Sequence, residues 1–236
     1  MAPTSTTDPL RAVDDLEACR SPGPTVDSDA PEILAYAERV AGDAPDDVER
    51  ARRLYLAVRD DIRYDPYRIG RRSEELRASL TLQRGWGFCI PKAALLAATA
   101  RALGIPARLG FADVRNHLTS EKLQRLLGTN LMVFHGFTEL HLGGRWTKAT
   151  PAFNRALCDK IGMAPLEFDG VHDSLYQPLD LAGRRHMEYV LDRGARLDTP
   201  VEEMWAAWRA AYGSAFEQAT AGLDGDWRDF EREAHV

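Results

Sequence analysis

Of three cysteines, Cys19, Cys89 and Cys158, only Cys89 stands in a sequence setting that could make a nucleophile. The attacking species is a thiolate, and a free cysteine, with a pKa near ~8.5, is mostly protonated at neutral pH. In Gly85-Trp86-Gly87-Phe88-Cys89-Ile90-Pro91 a glycine-bearing loop delivers the cysteine to the head of an Ala/Leu stretch that ends at Leu103. That stretch reads as a buried helix, with Pro91 in its first turn and Gly104 at its stop. A helix N-terminus supplies partial positive charge and unpaired N–H groups, both of which favour the anion. Gly85 and Gly87 remove side-chain bulk, so a substrate backbone could approach and main-chain N–H groups could face an oxyanion, with Gln83 and Trp86 as nearby helpers. The plainer reading of Cys89 is a small buried hydrophobe, but a filler does not require an open approach loop.

Activation needs a base. From Asn130 the pattern takes a period of two, which puts His135, Phe137, Glu139 and His141 on one strand face and Thr138, Leu140 and Leu142 on the other. Gly143-Gly144 reads as a two-residue hairpin turn, and Arg145 to Thr150 returns antiparallel. Counting outward, Leu142 faces Arg145, Glu139 faces Lys148 as an ion pair, and Phe137 faces Thr150. Thr150 is then the diagonal neighbour of His135, within ~7–8 Å, where a residue orienting an imidazole belongs. The plainer reading of His135 is a strand histidine without a role, a description that fits His141 better.

The elements that must position these residues follow from the same pattern. Pro31 to Val40 is expected as a helix, capped by Asp29 and stopped at Gly42. A second helix runs from near Pro45 to the Tyr64-Asp65-Pro66 turn, since proline disfavours a helical residue before it. Leu76 to Leu82 is a short helix, Ile105 to Val114 is extended, and Leu118 to Leu127 is a helix capped by Thr119. An irregular segment follows, then a strand from Arg185 to Leu191 and a helix from Pro200 to Ala221 carrying Trp205, Trp208, Tyr212 and Phe216. Helices first and strands after make an α+β fold. Residues 1–30, rich in Pro, Ser, Thr and Asp, read as a loosely held arm, leaving 31–236 as one domain.

With 30 Lys plus Arg against 36 Asp plus Glu, the net charge of −6 disfavours a general nucleic-acid binder. No run reaches the ~18 apolar residues of a membrane span, and Met1 to Asp15 lacks a signal-peptide core, so a cytoplasmic location is expected. An odd cysteine count without a CxxC pair argues against disulfides and structural zinc. His172-Asp173 lacks further ligands at metal spacing, and no glycine pattern suits a nucleotide, so no cofactor or metal is expected.

Tyr64-Asp65, Gly87-x-Cys89 with its alanine-rich helix, Leu103-Gly104-Ile105-Pro106-Ala107-Arg108, His135-x-Phe137-x-Glu139 and Gly144-Arg145-Trp146 resemble, in order and spacing, the core of transglutaminase-like proteins. The resemblance spans about 45–155. It implies a papain-like, transglutaminase-like α+β core in which N-terminal helices and a central cysteine-bearing helix pack on an antiparallel sheet. It also implies a Cys-His-Asp triad. Cys89 would form a thioester with a glutamine-type amide or other acyl donor, His135 would serve as general base and acid, and an amine or water would take the acyl group. Where the family pattern has aspartate before proline, this chain has Thr150-Pro151, and threonine has no charge with which to stabilise imidazolium. A thiolate–imidazolium pair already charged at rest asks less of a third group, so Thr150 or Asn154 would suffice. Alternatively Asp159 or Asp169 reaches in, or activity is lost. The expected function is thiol-dependent acyl transfer or amide hydrolysis on a peptide, protein or small amide. The rivals are a cysteine peptidase or amidase and a non-catalytic binding protein of the same fold.

Overall fold

The computed structural model describes residues 13–117 and 120–221. Its centre is helix α4, Cys89–Ala102, numbered after α1 (Pro31–Ala41), α2 (Asp47–Asp61) and α3 (Ala78–Arg84). Every residue of α4 from Ile90 to Arg101 is buried, as its apolar circumference requires. The three preceding helices cover one side of it, and the other side lies on a sheet of β3 (Ala107–Asn116), β4 (Leu131–Leu142), β5 (Arg145–Ala149) and β6 (Met187–Arg196). The sheet is antiparallel in the order β5-β4-β3-β6, and a separate two-residue pair, β1 (Arg63–Tyr64) with β2 (Trp86–Gly87), is parallel. Short helices α5 (Glu121–Leu127) and α6 (Arg155–Lys160) follow β3 and β5, and α7 (Val201–Ala221) is broken at Gly213, which takes φ 74°.

The architecture is the expected α+β one. The hairpin register is also as expected, with Leu142 opposite Arg145 and Glu139 opposite Lys148. Pairing ends one step early, at Thr138 with Ala149, because Thr150 turns away and donates its N–H to the Ser174 carbonyl at 3.1 Å. Gly42 ends α1, but Asp29 does not cap it; Ala30 holds the cap position without a side-chain bond. Asp46 caps α2 by accepting from Glu49 N–H at 2.9 Å. Ser120 caps α5, and Thr119 lies outside the described residues.

The polar groups buried with α4 are all paired. Lys92 Nζ donates to the Arg59 and Ile62 carbonyls at 2.9 and 2.5 Å, so a buried ammonium closes the C-terminal end of α2, where the helix dipole favours a cation. Arg101 donates to the carbonyls of Ala107, Ser21 and Leu197. Through that guanidinium the described part of the expected arm, residues 13–30, is packed against the body rather than loosely held. Cys19 and Val26 are fully buried, and the Asp198 carboxylate accepts from the N–H groups of Thr25 and Val26 at 3.1 Å. Polar composition suggested solvation; the polar groups bond one another instead. No helix among the described residues is long and apolar enough to cross a membrane.

The tightest junction between α4 and the sheet is at Gly136 of β4. A Cβ there would stand 3.0 Å from Ile90 Cγ1 and 3.1 Å from Ile90 Cα. Since backbone cannot yield as a side-chain end can, Gly136→Ala should lower unfolding stability in urea by about 1–3 kcal/mol.

Candidate active site

Cys89 is the first residue of α4, after an extended Phe88. The two loop glycines have structural causes. Gly85 adopts the left-handed conformation (φ 69°) that ends α3, its N–H bonded to Thr81 O. Gly87 lies where a Cβ would meet Pro91 at 3.1 Å and Thr81 at 3.3 Å. Neither glycine therefore needs a substrate to explain it. Gln83 is exposed, and Trp86 is flanked by the guanidinium groups of Arg68 and Arg84 at 4.8 and 5.0 Å. The groups that pull the Cys89 thiol pKa down are backbone N–H groups, those of Gly136, Ile90 and Cys89 itself. Gly136 was missed in the sequence, although a glycine inside a strand often marks a close approach of another backbone.

β4 reaches that contact through a distortion. Phe134 takes φ 60°, the left-handed region, and its N–H donates to Asp113 at 3.0 Å. Arg193 grips Asp113 through two bonds of 2.5 and 2.8 Å. Trp208 of α7 donates to the Val133 carbonyl at 2.8 Å, and the Tyr212 hydroxyl accepts from Val133 N–H at 2.6 Å. The aromatic stripe of the last helix thus fixes the strand just ahead of His135.

His135 is 5% exposed. Its ring lies 5.2 Å from that of Tyr176 and 6.5 Å from that of Tyr189, and its Nε2 has no hydrogen-bond partner. The same tyrosines lie within electrostatic reach of Cys89. Burial raises the hydroxyl pKa values of Tyr64, Tyr176, Tyr189 and Tyr212, and the nearby Cys89 adds to each. Burial also pushes the Cys89 thiol up to about 11, against the downward pull of the three N–H groups, and pushes His135 down to about 4. Cys89 is only partly buried, yet these directions favour a neutral thiol and a neutral imidazole over the ion pair that the helix N-terminus led us to expect. Desolvation outweighs the dipole here.

The candidates for a third member fall in different places. Thr150 is 1% exposed and its carbonyl accepts from Tyr55. The Tyr189 hydroxyl faces the Thr150 side chain and, at 3.4 Å, Tyr176 N–H, yet the Thr150 hydroxyl itself completes no hydrogen bond. Asn154 is buried and accepts from Tyr64 N–H at 3.1 Å, so it holds β1 in place. Asp159 is exposed on α6. Asp169 is exposed and bonded to the His172 ring at 2.7 Å, so neither aspartate reaches in. Glu139 pairs with Arg108 at 2.6 Å rather than with Lys148, which turns toward Asp192 at 3.8 Å. Cys19 and Cys158 are buried, and burial raises both thiols, Cys158 to about 11. No group of three or more His, Cys, Asp or Glu among the described residues could hold a metal.

Residues 34–151, half of the chain, match the transglutaminase-like superfamily. The chain belongs to that family. The transglutaminase-like core therefore runs from α1 through β5, and β6 and α7 lie beyond it. A putative cysteine protease from Cytophaga hutchinsonii has a similar fold, with a TM-score of 0.52 at 19% identity over 86% of this chain and 53% of that one. The chain thus spans about half the length of that protein. A putative protease from Parabacteroides distasonis matches more distantly, with a TM-score of 0.38 at 13% identity over 59% of this chain and 26% of its own. No curated protein matches the sequence.

Two measurements probe this electrostatic setting. The His135 value falls from 6.5 in the unfolded chain to about 4 in the folded one. Between those values the unfolded state binds the extra proton, so stability is complete above pH 6.5 and is lost as pH falls toward 4. The loss should be about 3 kcal/mol, and urea unfolding of His135→Gln should lack it. Thr150→Asp should raise the imidazole pKa by more than about one unit, read by NMR titration, if residue 150 borders the ring. An unchanged value would remove Thr150 from the site.

Proposed function

We propose that this protein is a cysteine-dependent enzyme that cleaves or transfers the acyl group of an amide, with Cys89 as nucleophile and His135 as proton carrier. The observation that carries this reading is the close approach of Gly136 to Ile90, the chain neighbours of His135 and Cys89, where a Cβ on Gly136 would stand 3.1 Å from Ile90 Cα. Membership of the transglutaminase-like superfamily supports it, as does the fold shared with the Cytophaga hutchinsonii protein.

Because the pair is neutral at rest, deprotonation accompanies attack. Cys89 Sγ bonds to the amide carbonyl carbon while its proton passes to His135, as in general-base catalysis. The N–H groups at the head of α4 are the nearest donors for the oxyanion that develops. His135 then gives its proton to the departing amine as the C–N bond breaks, leaving a thioester on Cys89. Water or a second amine attacks that carbon and loses its proton to His135. The sulfur leaves and recovers the proton, restoring both groups. Thr150, whose side chain faces the Tyr189 hydroxyl, is the residue we assign to the imidazole side, where it would contribute no charge.

The scheme fixes the pH dependence. The base works only when unprotonated, so kcat/KM on a fluorogenic peptide amide should rise through about pH 4 and be level by pH 6. Cys89→Ala should abolish turnover, and His135→Ala should lower kcat by about 10²–10⁴-fold. If the wild type turns over no amide and alkylates at Cys89 no differently from His135→Ala, a non-catalytic binding role takes its place.

A further inference from the structure

A cavity of about 150 Å³, with Cys158 among its walls, is linked to the Cys89–His135 site through Tyr176. Tyr176 lines the cavity, and its ring also lies 5.2 Å from His135. Phe153 lines it as well, 5.2 Å from Tyr176 and edge-on to Tyr64 at 4.7 Å. The remaining walls include Met163 and Leu166, and at the mouth stand Leu179 and Leu181, which are 53% and 73% exposed.

The few polar groups there offer a ligand no charge. The Asp180 carboxylate already accepts from Arg184 Nε at 2.7 Å and from the N–H groups of Ala182 and Arg184. His186 is 2% exposed, and burial lowers its pKa, so at neutral pH its imidazole carries no charge. Apolar space of this size takes one benzene-sized group, and an apolar pocket with a few placed polar atoms is the usual form of a recognition site.

We propose that this cavity is a specificity subsite for one aromatic or branched aliphatic side chain of the substrate, next to the amide that Cys89 attacks. The assignment rests on the proposed chemistry at Cys89 and adds the substrate class. An acidic or basic side chain would enter uncompensated, at a desolvation cost that excludes it. An alanine side chain would leave the cavity unfilled.

The test uses acetyl-aminoacyl chloromethyl ketones carrying Phe, Leu, Ala, Asp or Lys, with the rate of Cys89 alkylation followed by mass spectrometry. The Phe and Leu reagents should react about 10- to 100-fold faster than the Ala reagent, and the Asp and Lys reagents more slowly still. Ala164 also lines the cavity, and Ala164→Trp should reduce the preference to below about threefold. Leu181→Asp, an exposed change at the mouth that puts folding at little risk, should reduce it in the same direction. Equal rates for all reagents, or a preference that survives both variants, would overturn the subsite.

Failure of the chemistry itself gives a different signature, in which no reagent labels Cys89 faster than a free thiol. Binding to Cys89→Ala then decides the subsite alone. N-acetyl-phenylalaninamide should bind in saturation-transfer NMR and lose its signal when Ala164→Trp is added, while N-acetyl-alaninamide should not bind. Absence of that difference would overturn the proposal.

Discussion

The site depends on how close a strand can come to the first turn of a buried helix. At Gly136 the β4 backbone lies against Ile90, where a methyl group would stand 3.0 Å from Ile90 Cγ1, and its N–H favours the Cys89 thiolate. The approach would be impossible if α4 presented a polar face, since that face would require solvent. An apolar helix wrapped by helices and sheet supplies the rigidity, and the polar residues it buries, Lys92 and Arg101, bond to carbonyls that would otherwise lack donors. Phe134, two residues before this junction, takes the left-handed conformation. Asp113, Arg193, Trp208 and Tyr212 hold it from three directions.

Burial on this scale decides the protonation of the pair. Tyr64, Tyr176, Tyr189 and Tyr212 lie within electrostatic reach of Cys89, and their burial favours uncharged groups. Threonine at position 150 adds no charge to that buried medium.

The sequence made α4, the hairpin register and the α+β order legible because each depends on local pattern: an apolar run bounded by Pro91 and Gly104, a glycine pair, and a change of period. Cys89 and His135 stood out for the same reason. What the sequence hid was set by neighbours distant in the chain. Glu139 takes its partner from β3 rather than from across the hairpin, and Thr150 leaves the ladder because Ser174 accepts its N–H. Tyr176 and Tyr189 enter the site from an irregular segment and from an edge strand, neither of which announces a destination. The loop glycines were legible as residues and misread as to cause, since a helix stop and a tight proline contact require glycine as surely as a substrate would.

The grip of Arg101 on both Ser21 and Leu197 moves the limits of the self-sufficient unit away from those of the recognisable family core. A fragment trimmed to residues 34–151 would keep the sulfur and the imidazole. It would lose Tyr176, Tyr189, Trp208, Tyr212 and both ends of the clasp, and with them the enclosure that sets the chemistry. Family membership and packing are here properties of different lengths of chain.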